Sequence, residues 1–177
     1  PYMTLYAFST ENWSRPRQEV SFLMHLFSEV IRRECANLKA QGVRLQFLGE
    51  RDNLENSVLE MMSYAEAETQ YNDRLHVNIA LNYGGRNELL RASKKMAQAV
   101  LANELQLDEM TEEKMASFLD TRGLPDPDLV IRTSGEKLLS NFLLWQLVGY
   151  RLVIPTPIHH LKCQAILCQW WHLHLFP

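Results

Sequence analysis

The sequence predicts an α/β fold with a mostly parallel central sheet flanked by helices. Apolar runs of strand length alternate along the chain with longer amphipathic segments, an order typical of parallel strands joined by crossover helices. The linkers between these segments are short and no internal repeat is visible, so the 177 residues predict a single principal domain.

The composition narrows the class of protein. Apolar residues make up 46% and charged residues 22% of the chain, which is ordinary for a globular protein. The net charge of −3 disfavours a nucleic-acid partner, because proteins that bind phosphate backbones are usually basic. No apolar run reaches the roughly 18 residues of a transmembrane segment. Three cysteines are too few for a disulfide framework, so we expect a cytoplasmic protein.

The first half of the chain predicts two strands, each followed by a long helix. Residues 3–8 are an apolar run, and residues 43–48 alternate apolar with polar side chains. Pro16 is typical of a helix start and precedes a helix predicted over 18–38, while a second helix is predicted over 52–71. The apolar face of the first helix comprises Val20, Leu23, Phe27, Val30, Ile31, Cys35 and Leu38.

The second half continues the alternation of strands and helices. Residues 75–81 carry apolar side chains at every second position and predict a third strand. A glycine-containing turn at 83–85 leads into a helix predicted over 86–104, and a short helix is predicted over 112–119. Residues 129–131 predict a short, fully apolar fourth strand.

Polar loops follow three of the predicted strands, and each loop contains an arginine. Arg15 follows the first strand, Arg86 the third and Arg132 the fourth. In a parallel α/β sheet, ligands bind at the carboxyl ends of the strands. A guanidinium matches the geometry of phosphate oxygens, and backbone N–H groups at a helix start add donors for an anion. Singly, each arginine is better explained as a solvated surface residue, but the three loops together predict a site for a phosphorylated substrate.

Other chemistries find less support in the residues. Cys35 lies on the apolar face of a predicted helix, where core packing explains it, and His25 is expected on a helix surface. No glycine-rich loop has the spacing of a nucleotide-binding motif, so neither ATP nor NAD is expected.

Four segments carry a resemblance to a known family. They are residues 6–16 (YAFSTENWSRP), 82–86 (NYGGR), 126–136 (DPDLVIRTSGE) and 141–146 (NFLLWQ). In this order they resemble the signatures of the cis-prenyltransferases, a family of isoprenyl transferases, and are most similar to its bacterial undecaprenyl diphosphate synthases. The resemblance covers about residues 3–146, which is most of the chain.

The resemblance implies a homodimeric α/β transferase of isoprenoid biosynthesis. Such an enzyme condenses isopentenyl diphosphate repeatedly onto an allylic diphosphate, usually farnesyl diphosphate, with cis double bonds. Mg²⁺ assists the departure of diphosphate, and the growing chain occupies an apolar tunnel between the sheet and the helices. No nucleic acid and no membrane-spanning segment are expected.

The resemblance also implies roles for individual residues. Asn12 matches the active-site amide of the family, and we interpret it as a positioning and proton-relay group because an amide is not basic at neutral pH. Glu19 lies on the helix that borders the pocket. The substrate-binding positions implied are Ser9, Thr10, Glu11, Trp13, Arg15, Arg132, Leu138, Leu139 and Ser140, of which Arg132 and Ser140 hold isopentenyl diphosphate.

The chain departs from the family pattern at several positions. The family's Asp-Gly-Asn-Gly-Arg-Trp phosphate loop, with its metal-linked aspartate, does not occur in these residues. Leu138 stands where the family usually has an arginine, and Arg151 stands where it has a metal-binding glutamate. We therefore expect an inactive or impaired copy of the enzyme. The alternative is a non-catalytic diphosphate-binding or partner subunit of the same fold.

The last residues, 147–177, differ in composition from the rest of the chain. They contain no Asp or Glu, although the chain has 21 acidic residues in all. Two interpretations stay open, a tail produced by a shifted reading frame and a small metal-binding interaction module, although the spacing departs from that of ordinary zinc sites. The candidate ligands of the second interpretation are Cys163, Cys168, His172 and His174. We predict a partial cis-prenyltransferase domain over 1–146, a divergent tail over 147–177 and an impaired homodimer.

Overall fold

The computed structural model describes part of the chain in two compact units. The described residues are 1–131, 139–148 and, for the backbone alone, 151–153. The first unit comprises residues 1–126 and 140–148, and the second is drawn from residues 127–139 and 149–177. Arg132, Leu138 and the four candidate metal ligands of the tail lie outside the described residues.

A parallel three-stranded sheet forms the centre of the first unit. Its strands are β1 (Tyr2–Ser9), β2 (Val43–Leu48) and β3 (Leu75–Tyr83), in the order β1-β3-β2. Both outer strands run parallel to β3, with Leu5 and Phe47 each opposite Ile79. The chain passes from β1 to the far edge of the sheet and returns to the middle, so β3 is buried on both faces.

Two long helices cover one face of this sheet. They are α1 (Arg17–Ala40) and α2 (Asn56–Thr69), which join β1 to β2 and β2 to β3. Ile31 and Cys35 of α1 are almost completely buried, so the predicted core packing of Cys35 is confirmed. The main apolar cluster includes Phe8, Met24, Ile31, Leu45, Val58, Met61, Met62, Val77, Ile79 and Leu81.

The remaining helices of the first unit follow β3. They are α3 (Gly85–Leu101) and the short α4 (Glu112–Phe118), whose N-terminus is capped by the Thr111 side chain. In the second unit, β4 (Leu129–Ile131) pairs in parallel with β5 (Arg151–Val153). The predicted α/β fold with parallel strands and flanking helices is therefore confirmed. Among the described helices, none has the length and apolar content that crossing a bilayer requires.

The structure differs from the predictions at two helix boundaries and in the loop after β1. Asn53 has a φ of 65°, a left-handed conformation that cannot continue a helix, so α2 begins at Asn56 instead of residue 52. Asn103, with a φ of 58°, similarly ends α3 at Leu101 instead of 104. The predicted loop after β1 contains a 3-10 turn over Thr10–Ser14.

Candidate functional site

Asn12 lies on the 3-10 turn that directly follows β1. The backbone N–H of Ser9 donates to Asn12 Oδ1 at 2.8 Å, and the N–H of Arg15 donates to the Asn12 carbonyl at 3.1 Å. The Asn12 side chain is half-buried, and its Nδ2 group has no partner within the described part of the chain. The turn therefore holds the amide by its oxygen and leaves its two N–H donors for a ligand.

Trp13 connects this turn to the end of the central strand. Its indole N–H donates to Asn82 Oδ1 at 2.7 Å, and its ring meets Phe8 edge to face. Asn82 Nδ2 donates in turn to the carbonyls of Glu50 and Asp52, at 3.0 Å each. Asn82 is buried and has a φ of 52°, so its backbone and side chain together join the carboxyl ends of β1, β2 and β3.

The guanidinium of Arg15 does not stand free at the site. It forms an ion pair with Glu19, one turn into α1, with Nη1 and Oε1 2.6 Å apart. Both side chains are more than a third exposed, so the pair adds little stability. The ion pair orients the Arg15 guanidinium. Its other N–H donors have no partner among the described residues and stay available to an anion.

Asn141 caps the start of α3 by accepting hydrogen bonds from its first N–H groups. The Asn141 carbonyl accepts from the Gly85 N–H at 2.7 Å, and Asn141 Oδ1 accepts from the Arg86 N–H at 2.9 Å. Asn141 Nδ2 donates to Glu11 Oε1 at 2.6 Å. Asn141 thus supplies the acceptors of two helix-start N–H groups, its backbone carbonyl for Gly85 and its side-chain oxygen for Arg86.

These contacts hold the Glu11 carboxylate in its ionised form. Desolvation by burial raises its pKa, but hydrogen bonds from its own backbone and from Asn141, Ser9 and Thr10 outweigh that effect and leave the pKa below its ordinary value. Glu11 is therefore an ionised acceptor, and each of its two carboxylate oxygens already accepts a hydrogen bond.

Gly84 is required by close packing at the same point. A Cβ atom on Gly84 would lie 2.4 Å from Thr10 Oγ1 and 2.8 Å from Asn141 Nδ2. A Cβ on Gly85 would lie 2.7 Å from Leu144 Cγ. The two adjacent glycines thus let the 3-10 turn and the segment around Asn141 approach the first turn of α3.

Tyr6 supports the segment from the sheet side. Its hydroxyl donates to the carbonyls of Tyr83, at 3.2 Å, and Ser140, at 3.3 Å, and its ring stacks on Phe142 with centroids 4.4 Å apart. Burial, with a further contribution from the Glu11 charge, raises the pKa of Tyr6 to about 12. The hydroxyl therefore stays protonated and acts as a donor at neutral pH.

A buried glutamate anchors the far end of the same segment. Glu88 on α3 accepts from the Tyr83 hydroxyl at 2.6 Å, from the Asp120 N–H at 2.9 Å and from Gln146 Nε2 at 3.1 Å. Gln146 Nε2 also donates to Thr121 Oγ1 at 2.8 Å. Burial and the neighbouring Glu88 raise the pKa of Tyr83, which keeps this donor in place.

The structure brings most of the predicted site residues together. Leu139 belongs to the second unit, and the positions of Arg132 and Leu138 stay predictions. Sequence reasoning placed Tyr6, Asn82 and Asn141 in the motifs but assigned them no role, since their partners are up to 134 positions away along the chain. The residues gathered at the carboxyl ends of β1 and β3 are Ser9, Thr10, Glu11, Asn12, Trp13, Arg15 and Ser140.

A cleft separate from the Asn12 region lies beside the end of β2, with a volume of about 580 Å³. Two ion pairs line it: Arg91 with Asp120 at 2.6 Å, and Arg51 with Glu66 at 3.3 Å. The paired charges stabilise the join between β2, α3 and the chain after α4, and they give this cleft no excess of either sign.

Mg²⁺ is the cofactor that the resemblance implies, and the described residues do not fit it. Among residues 1–131 and 139–148, no group of three or more His, Cys, Asp or Glu side chains could hold a metal ion. Both Glu11 oxygens accept hydrogen bonds, from Thr10 and Asn141, and Glu19 is paired with Arg15.

Comparison with known proteins places the chain in a family. A family model described as "Putative undecaprenyl diphosphate synthase" matches residues 1–159. The chain belongs to this family of cis-prenyltransferases. The match runs past Gln146, and the predicted boundary between the domain and the tail stays a prediction.

Similar proteins carry consistent names. An isoprenyl transferase of Rhizobium meliloti is 51% identical over 145 residues, covering 82% of this chain and 59% of that protein. A ditrans,polycis-undecaprenyl-diphosphate synthase of Legionella pneumophila, described as specific for (2E,6E)-farnesyl diphosphate, is 48% identical and covers 89% of this chain and 66% of that protein. The chain thus spans about three fifths to two thirds of the length of these relatives.

Solved structures give the same fold. The crystal structure of lavandulyl diphosphate synthase from Lavandula x intermedia, in complex with dimethylallyl diphosphate, aligns with a TM-score of 0.85 at 32% identity, covering 88% of this chain and 68% of that one. A probable undecaprenyl diphosphate synthase from Campylobacter jejuni aligns with a TM-score of 0.78 at 34% identity, covering 89% of this chain and 71% of that one.

Proposed function

We propose that the chain is the substrate-binding part of an isoprenyl transferase that condenses isopentenyl diphosphate with an allylic diphosphate, farnesyl diphosphate, into a long cis-polyprenyl diphosphate. The observation that carries the proposal is the amide of Asn12, held by its oxygen at the end of a parallel strand with its N–H donors unpaired among the described residues. Family membership supplies the class of reaction.

The proposed reaction makes a carbon–carbon bond between the two substrates. Diphosphate leaves the allylic partner with the bonding electrons, and a proton leaves the isopentenyl partner. An amide does not accept a proton at neutral pH. Asn12 therefore orients the isopentenyl diphosphate so that the departing proton goes directly to a diphosphate oxygen or water, while Arg15 and Arg132 balance the charge of the diphosphates.

Replacing Arg132 with alanine should weaken the binding of isopentenyl diphosphate at least about fivefold. Hydrogen bonds to charged groups contribute roughly 1.5–3 kcal/mol each before the cost of ordering. The measurement is a calorimetric titration of both proteins. Arg122→Ala is the matched control, because Arg122 is an exposed loop arginine beside the separate cleft. An affinity unchanged by Arg132→Ala would remove this residue from the site.

This chain should make polyprenyl diphosphate at least about 100-fold more slowly than the Legionella pneumophila relative. Leu138 and Arg151 stand where the resemblance expects a phosphate-binding arginine and a metal-binding glutamate, and a positive charge repels Mg²⁺. The assay incubates labelled isopentenyl diphosphate with farnesyl diphosphate and Mg²⁺. Turnover at the rate of the relative would contradict the prediction.

The same two positions favour a second candidate function, a non-catalytic diphosphate-binding subunit of the same fold. The double variant Leu138→Arg with Arg151→Glu separates the two functions. An enzyme impaired at these positions should gain product formation, and Asn12→Ala in that background should remove it again. Product formation by the double variant would rule out the non-catalytic subunit.

A further inference from the structure

Asn141 contacts two elements of the site with one short side chain and its own carbonyl. We propose that Asn141 is a positioning residue, which fixes Glu11, and with it the 3-10 turn that carries Asn12, against the start of α3. The proposal deepens the proposed function, because it names a residue that sets the position of the substrate-binding amide.

The hydrogen-bonding groups of Asn141 are used on both sides. On one side, Oδ1 and the carbonyl accept from the Arg86 and Gly85 N–H groups, at 2.9 and 2.7 Å. On the other side, Nδ2 donates to Glu11 Oε1 at 2.6 Å, within the range of a charge-assisted hydrogen bond. Asn141 therefore caps α3 and holds a carboxylate of the turn at the same time.

The 3-10 turn depends on contacts from outside itself. It spans five residues, and a helix this short does not hold its conformation alone. Trp13 ties it to the sheet through Asn82, and Glu11 ties it to Asn141. Asn12 lies between these two tethered residues, so its position is set from both sides.

The backbone around Asn141 is held in an unusual conformation. Ser140, Asn141 and Leu143 have φ values of 48°, 62° and 46°. These values lie in the left-handed region, which residues other than glycine and asparagine seldom adopt. Such conformations persist where the surroundings determine them. The Tyr6 hydroxyl on the Ser140 carbonyl and the stacking of Tyr6 on Phe142 provide contacts of that kind.

The other end of the segment is anchored independently of Asn141. Gln146 donates to Glu88 at 3.1 Å and to Thr121 at 2.8 Å, and both Gln146 and Glu88 are buried. Loss of the Asn141 side chain therefore leaves the segment attached to the domain while releasing the turn. This separation makes the positioning role testable apart from folding.

Two variants separate the two sides of Asn141. Asn141→Gly removes the side chain and tolerates the φ of 62°, whereas alanine would add backbone strain there. Asn141→Asp keeps an acceptor for the Arg86 N–H but sets a carboxylate against Glu11. The control is Asn72→Ala, which removes two hydrogen bonds to the carbonyls of Lys39 and Val43, at the opposite end of the sheet.

Amide exchange followed by NMR, with a titration of isopentenyl diphosphate, provides the test. In Asn141→Gly, the Ser9 and Arg86 amides should both exchange at least about tenfold faster, because each loses a held acceptor. In Asn141→Asp, Ser9 should exchange faster while Arg86 stays protected. Affinity for isopentenyl diphosphate should fall at least about threefold in both variants and stay unchanged in Asn72→Ala.

The outcomes distinguish this proposal from the proposed function. Unchanged exchange of the Ser9 amide in both variants overturns the positioning role. Faster exchange with unaltered affinity for isopentenyl diphosphate also overturns it, since the turn would then move without consequence for the ligand. If the wild-type chain itself binds no isopentenyl diphosphate, the proposed function fails, and the exchange measurements still decide whether Asn141 holds the turn.

Discussion

Replacing Glu88 with alanine should destabilise the first unit by about 3–5 kcal/mol, since two buried donors and one partly buried donor lose their acceptor. The donors are the Tyr83 hydroxyl, the Asp120 N–H and Gln146 Nε2, at 2.6, 2.9 and 3.1 Å. Glu88 is 1% exposed, so water does not replace the carboxyl group without opening the structure. The substitution leaves the Tyr83 hydroxyl and the Asp120 N–H without their acceptor, removes one of the two hydrogen bonds of Gln146 Nε2, and creates a cavity.

Thermal unfolding of the wild type and variants measures this effect. A loss of that size should lower the melting temperature by about 10 °C in a domain of this length. Glu88→Gln, which keeps one oxygen, should show an intermediate loss. Glu60→Ala removes an exposed glutamate of α2 and should change stability by less than about 0.5 kcal/mol. Equal melting temperatures for Glu88→Ala and Glu60→Ala would show that the network does not stabilise the fold.

Replacing Gly49 with alanine should cost about 3 kcal/mol or more, because a backbone and a steric penalty coincide. Gly49 follows β2 with a φ of 113°, a conformation that residues with a Cβ rarely adopt. Its Cβ would lie 2.2 Å from the Leu81 carbonyl oxygen and 2.9 Å from that of Asn82. Both oxygens belong to β3, so the chain can avoid the clash only if the end of β2 moves away from β3. That movement would also separate β2 from Asn82, the hydrogen-bond partner of Trp13.

Gly123 provides a control that isolates the steric part. Its φ is 78°, but a Cβ added there meets no atom within 4 Å. Gly123→Ala should therefore cost only the left-handed backbone penalty, about 1–2 kcal/mol. Chemical denaturation of both variants gives the comparison. If Gly49→Ala were no more destabilising than Gly123→Ala, the close approach of β2 and β3 at this point would be looser than the distances indicate.

Local sequence patterns were enough to predict the longer helices and strands of the first unit. The apolar spacing of residues 18–38 gave the helix that packs on the sheet, and the strand patterns of 43–48 and 75–81 gave two neighbours in that sheet. These patterns are reliable because burial selects apolar side chains at the period of each element. The boundaries near Asn53 and Asn103 were missed, because a left-handed asparagine carries no signal in the apolar pattern.

The candidate site was predicted in part. The motif around Asn12 located the amide, and its place after the first strand put it at the ligand-binding edge of the sheet. The same motif did not indicate that Arg15 is paired with Glu19, or that Glu11 is held by a residue 130 positions away. Such contacts depend on how separate elements pack against each other, which no single segment encodes.

The sequence by itself determined the α/β class, the family resemblance and the amide at the end of the first strand. The tertiary structure alone decided the use of each polar group. The N–H groups of Gly85 and Arg86 at the start of α3 are satisfied by Asn141, whereas the side-chain N–H donors of Asn12 have no partner in the described part of the chain. The physical reason is that a hydrogen bond requires two atoms within about 3 Å, and only the folded backbone brings residues from β1, α3 and segment 140–148 to that distance.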